Sequence, residues 1–105
     1  SESMLNAARS RKEATTNQVS AELAEALSGI EAARRTENLL TNSLLPQAEL
    51  TFKAALAGYE TGKVDFATLL DSQRQIRQAR QDQLKAQVDA QMRLAEIERL
   101  LGEDL

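Results

Sequence analysis

Histidine and cysteine are both missing from this sequence. Imidazole bases, thiolate nucleophiles and the usual ligand sets of zinc, blue-copper and iron–sulfur sites are therefore excluded, and any catalysis would rest on carboxylates. Two acidic pairs stand close in sequence, Glu96 with Glu98 and Glu103 with Asp104. Residues two apart on a helix point to different sides, and the second pair lies past the helix end expected at Gly102. Met4 and Met92 are too far apart to suggest a relay for a soft metal. No nucleophile–base pair, phosphate loop or metal cluster occurs at usable spacing. The sequence thus assigns no catalytic residue, no metal ligand and no cofactor, and it does not read as an enzyme.

The remaining polar side chains form a surface. Seven glutamines fall between Gln73 and Gln91; they suit either a neutral polar wall along an aqueous passage or the wet face of a helix, where glutamine is a good helix former. A chain of 105 residues with formal charge −3 and scattered charges offers no footprint for nucleic acid. No apolar run approaches the roughly 18 residues of a membrane span, and no basic stretch followed by an apolar one marks a signal peptide. The hydrophobic 42% consists largely of 17 Ala and 16 Leu, with aromatics at 3%. Such small, unbranched side chains suit seams between helices better than the centre of a globule.

The elements that position these surfaces follow from periodicity. From Val19 the positions Leu23, Ala26, Ile30, Ala33, Glu37, Leu40 and Leu44 succeed one another at alternating spacings of four and three, with Glu37 the one polar member. Arg9 with Glu13 and Glu31 with Arg35 stand one turn apart and can pair along exposed faces. Pro46 removes a backbone bond, yet the stripe continues through Ala48, Phe52, Ala55 and Tyr59. This predicts a kink near Leu45 in a continuous rod.

The run Tyr59-Glu-Thr-Gly-Lys-Val-Asp65 is the strongest break. Gly62 suits the positive φ that ends a helix, Asp65 can cap the next, and Val64 with Leu69 occupies the positions of a hydrophobic staple. Helix two is expected over about 66–101, stopped by Gly102. One face carries Phe66, Leu69, Ile76, Ala79, Ala86, Ala90, Leu94, Ile97 and Leu101; a second carries Leu70, Leu84, Val88, Met92 and Ala95. Two stripes on one helix imply more than one neighbour. The fold is therefore predicted as all-α: a single segment spanning 1–105, with helix one over about 2–60, a tip turn at about 60–65 and helix two. The arms, roughly 90 and 54 Å long at 1.5 Å per residue, are unequal, so the first twenty or so residues overhang.

Four pieces in order, Leu44-Leu-Pro-Gln-Ala-Glu49, Ala57-Gly-Tyr-Glu-Thr-Gly-Lys-Val-Asp65, Leu69-Leu-Asp-Ser-Gln73 and Leu94-Ala-Glu-Ile-Glu-Arg-Leu-Leu-Gly102, carry a resemblance. Together they resemble the C-terminal repeat of TolC-like outer membrane efflux channels, nearest the heavy-metal-efflux branch. The resemblance implies a homotrimer with a β-barrel in the outer membrane and a helical tunnel in the periplasm. It also implies a periplasmic adaptor protein as partner and, through it, an inner-membrane pump. No segment here alternates like a barrel strand, so the chain is expected to be a periplasmic hairpin cut from the larger protein; the resemblance implies that the whole protein exports solutes, with metal cations as the candidate class.

The same resemblance makes Tyr59 a candidate gate element at the tunnel constriction. The arginine that would partner it falls at position 64, which is Val64 here, with Lys63 beside it. The tip resembles the surface that meets the adaptor, making Tyr59, Glu60, Thr61, Gly62, Lys63, Val64 and Asp65 the candidate contact residues. At the sequence level two alternatives stand beside this reading. One is the α-helical hairpin of the adaptor itself, which would be flanked by lipoyl-like β segments and carry an Arg-Leu-Ser type tip; the other is a structural coiled coil.

Overall fold

The computed structural model describes residues 1–104, with the backbone alone at Asp104. Helix α1 spans Glu2–Leu39, a π-helical turn spans Leu40–Leu44, α2 spans Leu45–Glu60 and α3 spans Phe66–Asp104. The first three join into one rod, and α3 returns antiparallel along it, giving a body of 88 × 20 × 15 Å. No strand occurs among the described residues. The expected all-α hairpin without a barrel is what the chain forms.

Alanines make the seam. On α3, Ser72, Ala79, Ala86 and Leu100 are buried at multiples of seven residues, with Ala90 buried and Ile76, Gln83, Arg93 and Ile97 half-buried between them. This is an unbroken alternation of three and four, the spacing of a helix that keeps one narrow face on one partner. The sequence reading drifted off this register beyond Ala90 and put Leu94 and Leu101 on the buried face. Leu101 is instead 49% exposed, whereas Leu100 is 1% exposed. The step that the reading could not take is Arg93, a charged residue at a seam position. It fits because the facing residue is Gly29: a Cβ there would stand 2.7–2.9 Å from the Arg93 side chain, which occupies the space. The Cδ–Nε–Cζ end of the arginine lies over Gly29, with Nε 3.6 Å from Asp89 Oδ1.

The long arm buries Ala26 and Ala33 above the π turn, Leu40 at its first position, and Ala48 and Ala55 below it. Within the turn, the Leu45 N–H donates to the Leu40 carbonyl, a bond one residue longer than the α-helical one. Pro46 follows in the first turn of α2. Its ring would crowd the carbonyl four residues earlier in a regular helix, and the wider turn lies where that crowding would fall. The rod continues through the proline. Leu44, expected on the seam, turns outward at 42% exposure.

Polar bonds across the hairpin are few. Gln83 Nε2 donates to Thr41 Oγ1 at 2.7 Å, Gln87 Nε2 to Glu37 Oε1 at 3.4 Å, and Arg80 approaches Glu49 at 4.0 Å. Glu37, the polar member of the apolar register, thus has a partner on the facing helix. The anticipated pairs Arg9–Glu13 and Glu31–Arg35 do not close; among the described residues the intrahelical ion pairs are Arg93–Asp89, Arg99–Glu96 and Arg99–Glu103.

The open end departs from expectation at Gly102, which is helical: α3 runs through it to Asp104, and Gly62 alone among the described residues has positive φ. Arg99 bonds both Glu96 and Glu103, tying the last two turns together across the glycine. Residues 1–18 are all exposed, so the long arm overhangs its partner.

Candidate functional site

The tip is built from backbone geometry. Thr61 closes α2 with φ −97° and ψ 4°, and Gly62 follows at φ +77°. A left-handed residue there lets the chain fold back on the last turn: the Gly62 N–H donates to the Tyr59 carbonyl at 3.1 Å and the Lys63 N–H to the Gly58 carbonyl at 2.7 Å. These two bonds constitute a Schellman motif, which satisfies carbonyls that the helix end would otherwise strand. The Val64 N–H shares the Gly58 carbonyl at 3.1 Å, and the Thr61 hydroxyl donates to the Ala57 carbonyl at 3.0 Å.

Gly58 is the residue that the sequence reading passed over. A Cβ at this position would collide with Val64 Cγ2. The missing side chain is what allows the half-buried Val64 to fold onto the end of α2. The only signal in the sequence was a glycine four residues before the turn glycine, inside a helix, where it costs up to about 1 kcal/mol relative to alanine unless a close contact needs the room.

On the other side of the turn, Asp65 Oδ1 accepts from the Thr68 N–H at 2.8 Å, and the Asp65 carbonyl receives the Leu69 N–H. The hydroxyl of Thr68 and then its backbone N–H hold the Asp65 carboxyl below its ordinary value of 3.8. This is an N-cap. Val64 and Leu69, one on each side of it, are both half-buried.

Tyr59 and Phe66 meet across the turn with ring centroids 5.9 Å apart and planes tilted by 57°, a favourable aromatic arrangement. Both are exposed, Phe66 at 58%. Phe66, expected on the buried face of helix two, lies beyond the reach of the seam, where the turn sets it against Tyr59. Glu60, Thr61, Gly62 and Lys63 are exposed at the apex. The structure therefore brings the seven tip residues together, with Val64 turned inward and Lys63 outward. Val64 packs against Gly58 at the end of α2 and carries no polar group that could pair with the Tyr59 hydroxyl.

Away from the tip, the glutamine row divides. Gln83 and Gln87 bridge to the long arm, while Gln75 donates to Asp71 and Gln78 to Asp82. Glu96 is bound by Arg99, which lowers its pKa, and Glu103 joins the same arginine. The Asp104 side chain lies outside the described residues, so the Glu103–Asp104 pair is undefined in geometry. Among the described residues no cluster of three or more acidic, histidine or cysteine side chains is arranged to hold a metal ion, and no helix is long and apolar enough to cross a membrane.

Beyond Leu70, which is half-buried near the tip, the second stripe of α3 has no cover in the hairpin. Leu84, Val88 and Met92 stand exposed, Met92 at 66%. Alongside the long arm runs an open groove of about 560 Å³, lined by Thr36, Leu39, Leu44, Asp82, Lys85 and Asp89 among others.

Residues 1–103 match the family described as outer membrane efflux protein. The chain is 34% identical over 73 residues to the cobalt-zinc-cadmium resistance protein CzcC of Cupriavidus metallidurans, covering 70% of this chain and 18% of that protein. It thus spans less than a fifth of the relative's length. No solved structure matches significantly.

Proposed function

The chain belongs to the outer membrane efflux protein family, on the TolC-like side near the metal-efflux branch, and from that premise we propose that it forms part of the periplasmic wall of an export channel. The intact protein acts as a homotrimer anchored by a β-barrel, and the hairpin hangs into the periplasm. The observation that carries this reading is the uncovered apolar stripe Leu84, Val88 and Met92 on the opposite side of a helix already seated on its hairpin partner. A helix with two apolar faces belongs in a wall of helices. The glutamines left free of the seam would give such a wall a neutral polar lining.

The substrate class suggested by the relative's name is divalent metal cations, passed and not stored, which agrees with a chain rich in neutral polar side chains and lacking cysteine and histidine. The channel is passive. Energy comes from an inner-membrane pump, transmitted through a periplasmic adaptor that docks on the exposed apex around Tyr59, Glu60, Thr61, Gly62 and Lys63. Tyr59 serves as a gate element through its ring pair with Phe66, since position 64 lacks an arginine.

Two measurements test this together: tolerance of the host to cobalt, zinc and cadmium, and cross-linking of a Lys63→Cys variant to the adaptor. Loss of metal tolerance on deletion of the gene, with capture of the adaptor from the Lys63 position, is the expected result. Undiminished tolerance to all three cations would overturn the metal assignment. Failure of Lys63→Cys to capture an adaptor that still captures elsewhere on the channel would overturn the docking site.

A further inference from the structure

The π-helical turn has two features beside it that could each require it: Pro46, and the register of the buried seam. The two make different demands, and the spacing of buried residues separates them. Ala26, Ala33 and Leu40, the first residue of the turn, recur every seven residues; below the turn, Ala48 and Ala55 do the same. Between Leu40 and Ala48 the step is eight. On the facing helix Ser72, Ala79 and Ala86 run past the same region in strict sevens. The long arm therefore contains one residue more than its partner register can accept. A π turn absorbs exactly one additional residue without ending the helix, and it lies within that eight-residue step.

We infer that the π turn is a register splice: it is required by the inserted residue, and it keeps two lengths of the long arm in phase with one uninterrupted α3. Pro46 is tolerated because the splice has already widened the turn, and it is not the cause. The packing agrees. Leu40 stays buried as the last knob of the upper length, whereas Leu44 is turned out. Two open grooves, of about 560 and 340 Å³, both run past Leu40, Leu44 and Asp82, where an extra residue leaves the two helices imperfectly interlocked. Polar bridges stand on both sides of the splice, Glu37–Gln87 above and Glu49–Arg80 below. These mark which positions of each length face α3. The inference is independent of what the channel carries or where it docks.

The test uses the intact protein in a background free of other cysteines, with one cysteine pair in each length: Glu37→Cys with Gln87→Cys above, and Glu49→Cys with Arg80→Cys below. A short bismaleimide cross-linker reads register, because slipping one residue rotates a helical position by about 100° and carries it off the facing side. In the Pro46→Ala background both pairs are expected to cross-link at the level of the parent, within twofold. If the proline were the cause, the turn would revert to α-helix and one length would slip, so a loss of either pair, or of both, overturns the inference. The second variant deletes Asn42 in the Pro46→Ala background. Removing the surplus residue is expected to leave both pairs cross-linking, now through a regular helix. Loss of either pair there would mean that the surplus residue belongs to the native register, and it would overturn the splice equally.

Discussion

The two ends of the hairpin handle the same problem in opposite ways. At the tip, the Gly58 and Tyr59 carbonyls at the end of α2 and the Thr68 N–H at the start of α3 find partners within a few residues: Gly62 turns, Gly58 makes room, Val64 fills it and Asp65 caps. At the open end Gly102 continues the helix, and residues 1–18 are exposed along their whole length. Chain reversal is thus encoded locally and needs no outside help. The open end carries no such closure, and the long arm's overhang must be supported by something other than α3.

Glycine substitutions test this contrast most directly, since glycines of both ends have the same chemistry and different duties. Gly62→Val should have the largest effect. A β-branched residue at φ +77° carries a steric cost of about 2 kcal/mol, which should appear as faster hydrogen exchange at the Lys63 and Leu69 amides and, if the apex docks as proposed, as reduced adaptor cross-linking. Unchanged exchange would mean that the turn can be reached by another route. Gly58→Ala comes next. Its Cβ would meet the short, stiff Val64 side chain, an overpacking cost of roughly 1–3 kcal/mol, set against about 1 kcal/mol of gained helix propensity. A net loss of about 1 kcal/mol in the exchange of the Val64 amide is expected. A gain would show that Val64 moves aside freely.

Asp65 allows the tip to be probed by pH. Its carboxyl is held below 3.8 by Thr68, so the folded state favours the ionised form. The resulting stabilisation is present above pH 4 and is lost as the pH falls through the lowered folded value. Exchange at the Thr68 and Leu69 amides should accelerate, relative to amides in the middle of α3, as acid is added across that window. An Asp65→Asn variant should flatten the difference while leaving a cap in place. Because the group is exposed, this effect should be smaller than that of either tip glycine.

The same contrast explains what could be read from the chain. The hairpin, its turn and the thinness of its seam were legible because each rests on a local rule: alternating spacing, a glycine before a cap, abundant alanine. What escaped required both helices at once. Arg93 looks like a surface residue until Gly29 is placed opposite it. The π turn is visible only when the spacing from Leu40 to Ala48 is compared with the partner's sevens. The aromatic pair likewise depends on the turn bringing Phe66 back against Tyr59. At the open end the rule itself misled, since a glycine can stop a helix but does not compel it to stop, and the Glu96–Arg99–Glu103 ion pairs carry α3 through Gly102.

The smallest expected effects lie away from the tip, and their sign is the point. Gly29 sits in mid-helix at a close contact, as Gly58 does, yet the atoms that a new Cβ would meet are the far end of a flexible arginine. Arg93 can swing aside at little cost, keeping its stem on the seam. The helix meanwhile gains from replacing glycine by alanine. Gly29→Ala should therefore stabilise α1 by up to about 0.5 kcal/mol, with the Asp89–Arg93 pair loosened. Gly102→Ala, with open space around the new Cβ, should give a smaller gain, because terminal turns fray in any case. Amide exchange around each site provides the measurement. Slowing at the open end with acceleration at Gly58, for the same substitution, would establish that close approach at the tip is a demand of the turn. If Gly29→Ala instead accelerated exchange as strongly as Gly58→Ala, the Arg93 contact would have to be as rigid as the Val64 contact, and the open half of the hairpin would be locked by its own chain after all.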